Sequence, residues 1–89
     1  MPTKGEKLLE KLRRSKAGWH AKELKELYES FGFTVVAGKS HDIVKHPDYP
    51  QLRYTLPRHA KELPKSYASE TLKIIEILLE LETNEDSDE

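Results

Sequence analysis

The sequence contains no cysteine, so neither a disulfide framework nor a thiolate metal site is available to it. Its four glycines are scattered and build no phosphate-cradling loop. The longest apolar run, Ile74 to Leu79, is interrupted by Glu76 and is far too short to cross a bilayer. The opening Met1-Pro2-Thr3-Lys4-Gly5-Glu6 lacks the charged-then-apolar layout of a secretion signal. No serine stands in a recognisable triad context. These absences point away from secreted, membrane-bound, thiol-dependent and nucleotide-cofactor chemistry. The expected setting is the cytoplasm, with no cofactor and no membrane partner.

What remains is a small, charge-rich domain of 89 residues, 36% hydrophobic and 35% charged. A chain of this size buries only about 60–65% of its unfolded surface, so its core is thin. The net charge of −1 conceals an asymmetry. Residues 1–65 hold 14 Lys/Arg against 8 Asp/Glu, or +6; residues 66–89 hold Lys73 alone against 8 acids, or −7. A basic body suits a polyanion such as RNA, because each phosphate contact releases condensed counterions. An ordinary solvated surface gives the same signal, so charge alone does not decide.

Hydrophobic periodicity divides the chain. Leu8, Leu9 and Leu12 predict a short helix from Lys7 to Arg14, broken by Ser15-Lys16-Ala17-Gly18. Leu24, Leu27, Tyr28 and Phe31 form one stripe of a second helix, with His20 as its cap, Trp19 and Leu24 as a hydrophobic staple, and Gly32 as its stop. From Phe33 the period falls to two. Phe33 to Ala37, His41 to His46 and Gln51 to Leu56 read as strands, separated by turns at Gly38-Lys39-Ser40 and Asp48-Tyr49-Pro50. After Pro64, Ser66 is placed to cap a last helix from about Tyr67 to Glu82. Its apolar stripe is wider than one thin sheet needs, so it is expected to touch the first helix or a partner. Residues 84–89 have nothing to bury and are expected to be disordered. The order α-α-β-β-β-α predicts an α+β fold: a three-stranded antiparallel meander, helices on one face, the other face left to solvent or a ligand. Residues 1–82 form one domain, comprising an added N-terminal helix (1–18) and a core (19–82), with 83–89 as an acidic tail.

Several short motifs follow in a fixed order. Gly32-Phe33 ends the second helix. Gly38-Lys39-Ser40-His41 enters a strand that ends in His46-Pro47, and Tyr54-Thr55-Leu56-Pro57-Arg58-His59 ends the next, followed by Lys61-Glu62-Leu63. This series resembles the HicA toxin family over about residues 19–80. The first eighteen residues are similar to the extra helix of a longer branch of that family. The resemblance implies a fold like the double-stranded-RNA-binding domain, mRNA cleavage by a histidine without a metal ion, and inhibition by a HicB-type antitoxin. One departure stands out: the family's Gly-Ser-His is here Lys39-Ser40-His41, with the glycine one place earlier at Gly38. A glycine there permits close backbone approach to a phosphate; Lys39 offers a cation instead, or weakens the enzyme.

The chemistry fits a histidine. RNA carries its own nucleophile, the ribose 2′-hydroxyl, and cleavage needs a base near it, an acid near the departing 5′-oxygen and cations at the phosphate. Histidine takes or gives a proton near neutral pH. The resemblance makes His41, in the Ser40-His41 motif, the expected catalytic residue, as base or as acid; a histidine in no such motif is more often an idle surface residue. The RNA-binding set is expected to comprise Gly38, Lys39, Ser40, Lys45, Arg53, Arg58, His59 and Lys61. Within it, Arg58 and Lys61 are placed to stabilise the phosphorane, and Lys39, Lys45 and Arg53 to hold the backbone. His46 and His59 are alternatives for a second proton-transfer group, or serve only in their turns. Strict alternation puts His41, Ile43 and Lys45 on one face and Asp42, Val44 and His46 on the other, so His41 and His46 do not converge on a metal. Tyr54 falls on the core side, Tyr49 stacks on a base or on its own loop, and Trp19 anchors packing. Two other classes remain open: a non-catalytic RNA-binding module of the same fold, and a protein-binding domain that uses the last helix.

Overall fold

A computed structural model describes the backbone of residues 3–57 and 62–87. The elements are α1 (Lys4–Arg14), α2 (Ala21–Ser30), β1 (Thr34–Ala37), β2 (His41–Lys45), β3 (Arg53–Pro57) and α3 (Lys65–Ser87). The strands form one antiparallel sheet in the order β1-β2-β3, as the short connections demand. The architecture is the expected α+β arrangement of the double-stranded-RNA-binding-domain kind.

Helix α1 begins three residues before the point its leucines suggest. Thr3 caps it, its hydroxyl accepting from the Glu6 N–H at 3.2 Å. Gly5, inside the helix, is a contact point. A Cβ there would lie 2.5 Å from Cβ of Ser30, so only glycine lets α1 sit this close to the end of α2. Leu9 and Leu12 are buried, and Lys4–Glu26 (2.8 Å) and Lys11–Glu23 (3.3 Å) join the two helices at the surface. The added helix is therefore part of the core.

The start of α2 follows the sequence reading. His20 is the N-cap, with Trp19 and Leu24 buried on either side of it as a staple requires. The Glu23 carboxylate accepts from the His20 N–H at 3.1 Å. Partial burial pushes the Glu23 carboxyl up, but hydrogen bonds from the His20 backbone and ring and from Lys11 outweigh it and hold it below the usual range. Its stabilising contribution is complete above the unfolded-chain value and is lost as pH falls through the lower folded value. Glu23→Ala is thus expected to cost about 1 kcal/mol at neutral pH. The difference from wild type should fade in acid, as urea melts at neutral and acidic pH would record.

The C-terminus of α2 is a Schellman motif. Gly32 has φ +90°, its N–H donates to the Glu29 carbonyl (3.1 Å), and the Phe33 N–H donates to the Tyr28 carbonyl (3.1 Å). The hydrophobic contact that accompanies such a motif is an edge-on pairing of Phe33 with Tyr28, ring centroids 5.0 Å apart. This turn feeds the chain directly into β1.

Helix α3 starts at Lys65, so Ser66 lies inside it and is not its cap. It also runs past Glu82 to Ser87, through residues expected to lack structure. Extending an existing helix fixes one residue per new hydrogen bond, a far smaller cost than nucleation, and glutamate is a good helix former. Ala68, Thr71, Ile75 and Leu78 are buried, whereas Leu72, Ile74, Leu79 and Leu81 are half-buried and Ile77 is exposed. The wide stripe is used as expected, because α3 packs on α1, α2 and β3 together. The Tyr28 hydroxyl donates to Thr71 Oγ1 at 3.0 Å inside the core, and burial pushes the Tyr28 phenol far up. Among the described residues, no helix is long and apolar enough to cross a membrane.

Candidate nucleic-acid interface

The helices cover one face of the sheet and leave the other open. On β2, Asp42 and Val44 are buried, His41 and Lys45 exposed, and Ile43 half-buried. Residues paired across an antiparallel sheet point to the same side. The register Thr34↔Lys45, Val36↔Ile43, Lys45↔Arg53, Ile43↔Thr55 and His41↔Pro57 therefore completes the open face. His41, Lys45 and Arg53 share it, as the alternation predicted. His41 and Lys45 lie at opposite ends of β2, roughly 13 Å apart at the rise of an extended strand.

A tight hairpin presents His41. The Gly38 N–H donates to the His41 carbonyl at 2.9 Å, and a Cβ on Gly38 would lie 2.5 Å from that oxygen. Glycine at this position thus serves closure of the β1–β2 hairpin. Lys39 and Ser40 form the exposed tip beside it. Among the described residues, no group hydrogen-bonds or ion-pairs with the His41 imidazole, so the ring is held at its backbone and open at its nitrogens.

Asp42, beside it in sequence, faces the other way. Its side chain is 3% exposed, and its Oδ2 receives Nζ of Lys25 from α2 at 2.8 Å. This buried ion pair pins the first residues of β2 to the helix layer. The sequence reading did not find it. The signal was there in part: Asp42 shares a face with Val44, and a carboxylate on a buried face requires a partner.

His46 is 6% exposed, stacks edge-on against Phe33 (5.0 Å) and lies 5.2 Å from the Tyr49 ring. Its Nδ1 accepts from the Asp48 N–H at 3.1 Å, which leaves the proton of the neutral ring on Nε2. That nitrogen faces Gly32, where a Cβ would come within 3.3 Å. His46 is a packing and turn residue on the covered side and is not brought to His41. Tyr49 is half-buried against it, so its ring packs on its own loop. Tyr54 is half-buried at 5.8 Å from Tyr67, and burial, with Tyr67 and Glu70 nearby, pushes its phenol up. Trp19 is buried, with Nε1 donating to the Ser15 carbonyl at 3.0 Å, and acts as an anchor.

A pocket of about 400 Å³ opens at the end of β2 away from His41. It is lined by Val36 and Ile43 from the sheet, His46, Pro47 and Pro50 from the β2–β3 connection, and the cross-strand pair Lys45 and Arg53. No sequence signal marked it, because its walls come from three separate segments. Arg58, His59 and Lys61 lie outside the described residues. Among those described, no group of three His, Asp or Glu side chains is placed to hold a metal ion.

A profile of the HicA toxin of bacterial toxin–antitoxin systems matches residues 21–77, more than half of the chain. No curated protein and no solved structure matches it. The matched segment runs from the first residue of α2 into α3 and contains the whole sheet, the hairpin that presents His41, and the pocket. The chain belongs to the HicA toxin family, whose members are generally mRNA interferases held in check by an antitoxin.

Proposed function

We propose that this toxin is an endoribonuclease that cleaves mRNA in the cytoplasm with His41 as its catalytic residue and without a metal ion, and that a HicB-type antitoxin restrains it. The observation that carries the reading is the exposed imidazole of His41, without a partner among the described residues, on an open sheet face that also holds Lys45 and Arg53. In the reaction, the 2′-oxygen bonds to phosphorus as the bond from phosphorus to the 5′-oxygen breaks, leaving a 2′,3′-cyclic phosphate and a free 5′-hydroxyl. One proton leaves the 2′-hydroxyl and one arrives at the 5′-oxygen. An imidazole at hydrogen-bond reach of either oxygen supplies one of these transfers. Lys39, Lys45 and Arg53 hold the phosphate backbone without reading sequence, and Arg58 and Lys61 are the cations assigned to the phosphorane. Gly38 and Ser40 shape the hairpin from which His41 projects, and His59 contacts RNA beside Arg58.

Incubation of the purified protein with end-labelled RNA tests this. Cleavage to products with cyclic-phosphate ends, unchanged by EDTA, is the expected result. Metal-dependent cleavage would overturn the proposed chemistry. One observation favours a second reading, a non-catalytic RNA-binding module: Lys39 stands where the family motif has glycine. That protein would bind RNA with a steep salt dependence and leave it intact.

A further inference from the structure

We propose that the pocket between the sheet and the β2–β3 connection is a nucleobase subsite, holding one unpaired base of a single-stranded RNA at a distance from the scissile phosphate. The proposal rests on the reading that the open face binds RNA, and adds a site to it. Four observations support it.

The first is chemical. Val36, Ile43, Pro47 and Pro50 supply an apolar lining, while Lys45 and Arg53 stand directly across from each other on β2 and β3. An apolar slot beside two cations matches a nucleotide, which joins a flat, weakly polar base to a charged phosphate. A guanidinium plane is also a surface on which bases stack, so Arg53 can serve base and phosphate together. The second is size: about 400 Å³ falls within the range of small-molecule sites, roughly 300–1,000 Å³. The third is exposure. Val36, 43% exposed, stands opposite half-buried Ile43 on the pocket side, so the two present an adjoining apolar surface that the helices leave uncovered.

The fourth is distance. The pocket lies at the Lys45 end of β2 and His41 at the other, roughly 13 Å away by strand rise. One nucleotide does not span that gap, so the seated base belongs to a neighbour of the one being cut. A base in the pocket fixes the register of the strand over His41, and unstacked bases are available only in single-stranded RNA. The pocket therefore favours unpaired substrates and biases cleavage by the identity of one base at a fixed offset from the cut.

The test uses binding, so that it stands apart from catalysis. Short single-stranded RNAs, each with one abasic nucleotide at a different position, are titrated by fluorescence anisotropy into the full chain carrying His41→Ala. One abasic position is expected to weaken binding roughly tenfold, the scale of a lost stacked base. Adding Val36→Trp, which fills the slot, should weaken binding of the intact RNA similarly and erase the sensitivity to that position. Adding Val36→Thr, which keeps the β-branched shape, should preserve it; unchanged melting curves show that both variants fold. Equal affinity for every abasic RNA, or a sensitive position that survives Val36→Trp, overturns the subsite while leaving the nuclease reading intact. Loss of antitoxin binding in Val36→Trp with abasic sensitivity unchanged would assign the pocket to the antitoxin instead. Absence of any RNA binding would overturn both readings.

Discussion

His41→Ala is expected to lower the single-turnover rate of RNA cleavage by about 10²–10⁴-fold, the range supplied by a positioned proton-transfer group. Growth arrest on expression should disappear with it. Stability should not. The residue is exposed and its ring has no partner among the described residues, and surface substitutions of that kind stay within about ±0.5 kcal/mol. The hairpin bond from Gly38 reaches the His41 carbonyl and not its ring, so the backbone survives the change. Single-turnover cleavage and a thermal melt on the same preparation separate the two effects. Full activity in a folded His41→Ala protein would remove this residue from the chemistry.

The second large effect is expected from the pair beneath it. Lys25→Met leaves the Asp42 carboxylate, only 3% exposed, without the ammonium that sits 2.8 Å from its Oδ2. Removing one partner of a buried pair typically costs about 3–5 kcal/mol; the 29% exposure of the Lys25 side chain puts this case near the lower end. For a domain of this size that is a fall in Tm of roughly 10–25 °C. Asp42→Asn should cost less, because the charge left over is then Lys25, which reaches solvent. Replacing both together, Lys25→Met with Asp42→Leu, should recover most of the loss, since the desolvation of two charges is removed along with their attraction. A Lys25→Met protein as stable as the double variant would show that the pair does not hold β2 to α2.

The face on which His41 stands was legible because alternation along a strand is a local property. Parity alone separated His41, Ile43 and Lys45 from Asp42, Val44 and His46, and the sheet keeps that division. Gly32 was legible for a similar reason: a helix stop is written in adjacent residues. The start of α1 was not, because the leucine spacing marks only Lys7 onward and the contact of Gly5 with Ser30 lies twenty-five positions on. The Lys25–Asp42 pair joins a helix to a strand, and nothing in either segment names the other. The pocket is harder still, since neither Val36 nor Pro50 is unusual until folding brings them together. At the end of α3, composition argues for disorder, whereas the backbone as far as Ser87 continues the preceding helix.

The intimate fit of α1 also separates kinship from self-sufficiency. The stretch that carries the family likeness, residues 21–77, omits Leu9, Leu12 and Trp19, all of them fully or almost fully enclosed. Large side chains contribute roughly 1.5–3 kcal/mol each when enclosed, a gross gain that is large beside the net of about 5–15 kcal/mol that holds a typical domain. A fragment trimmed to residues 21–77 would keep the hairpin that presents His41 but lose the enclosed side chains that help hold the layers beneath it together.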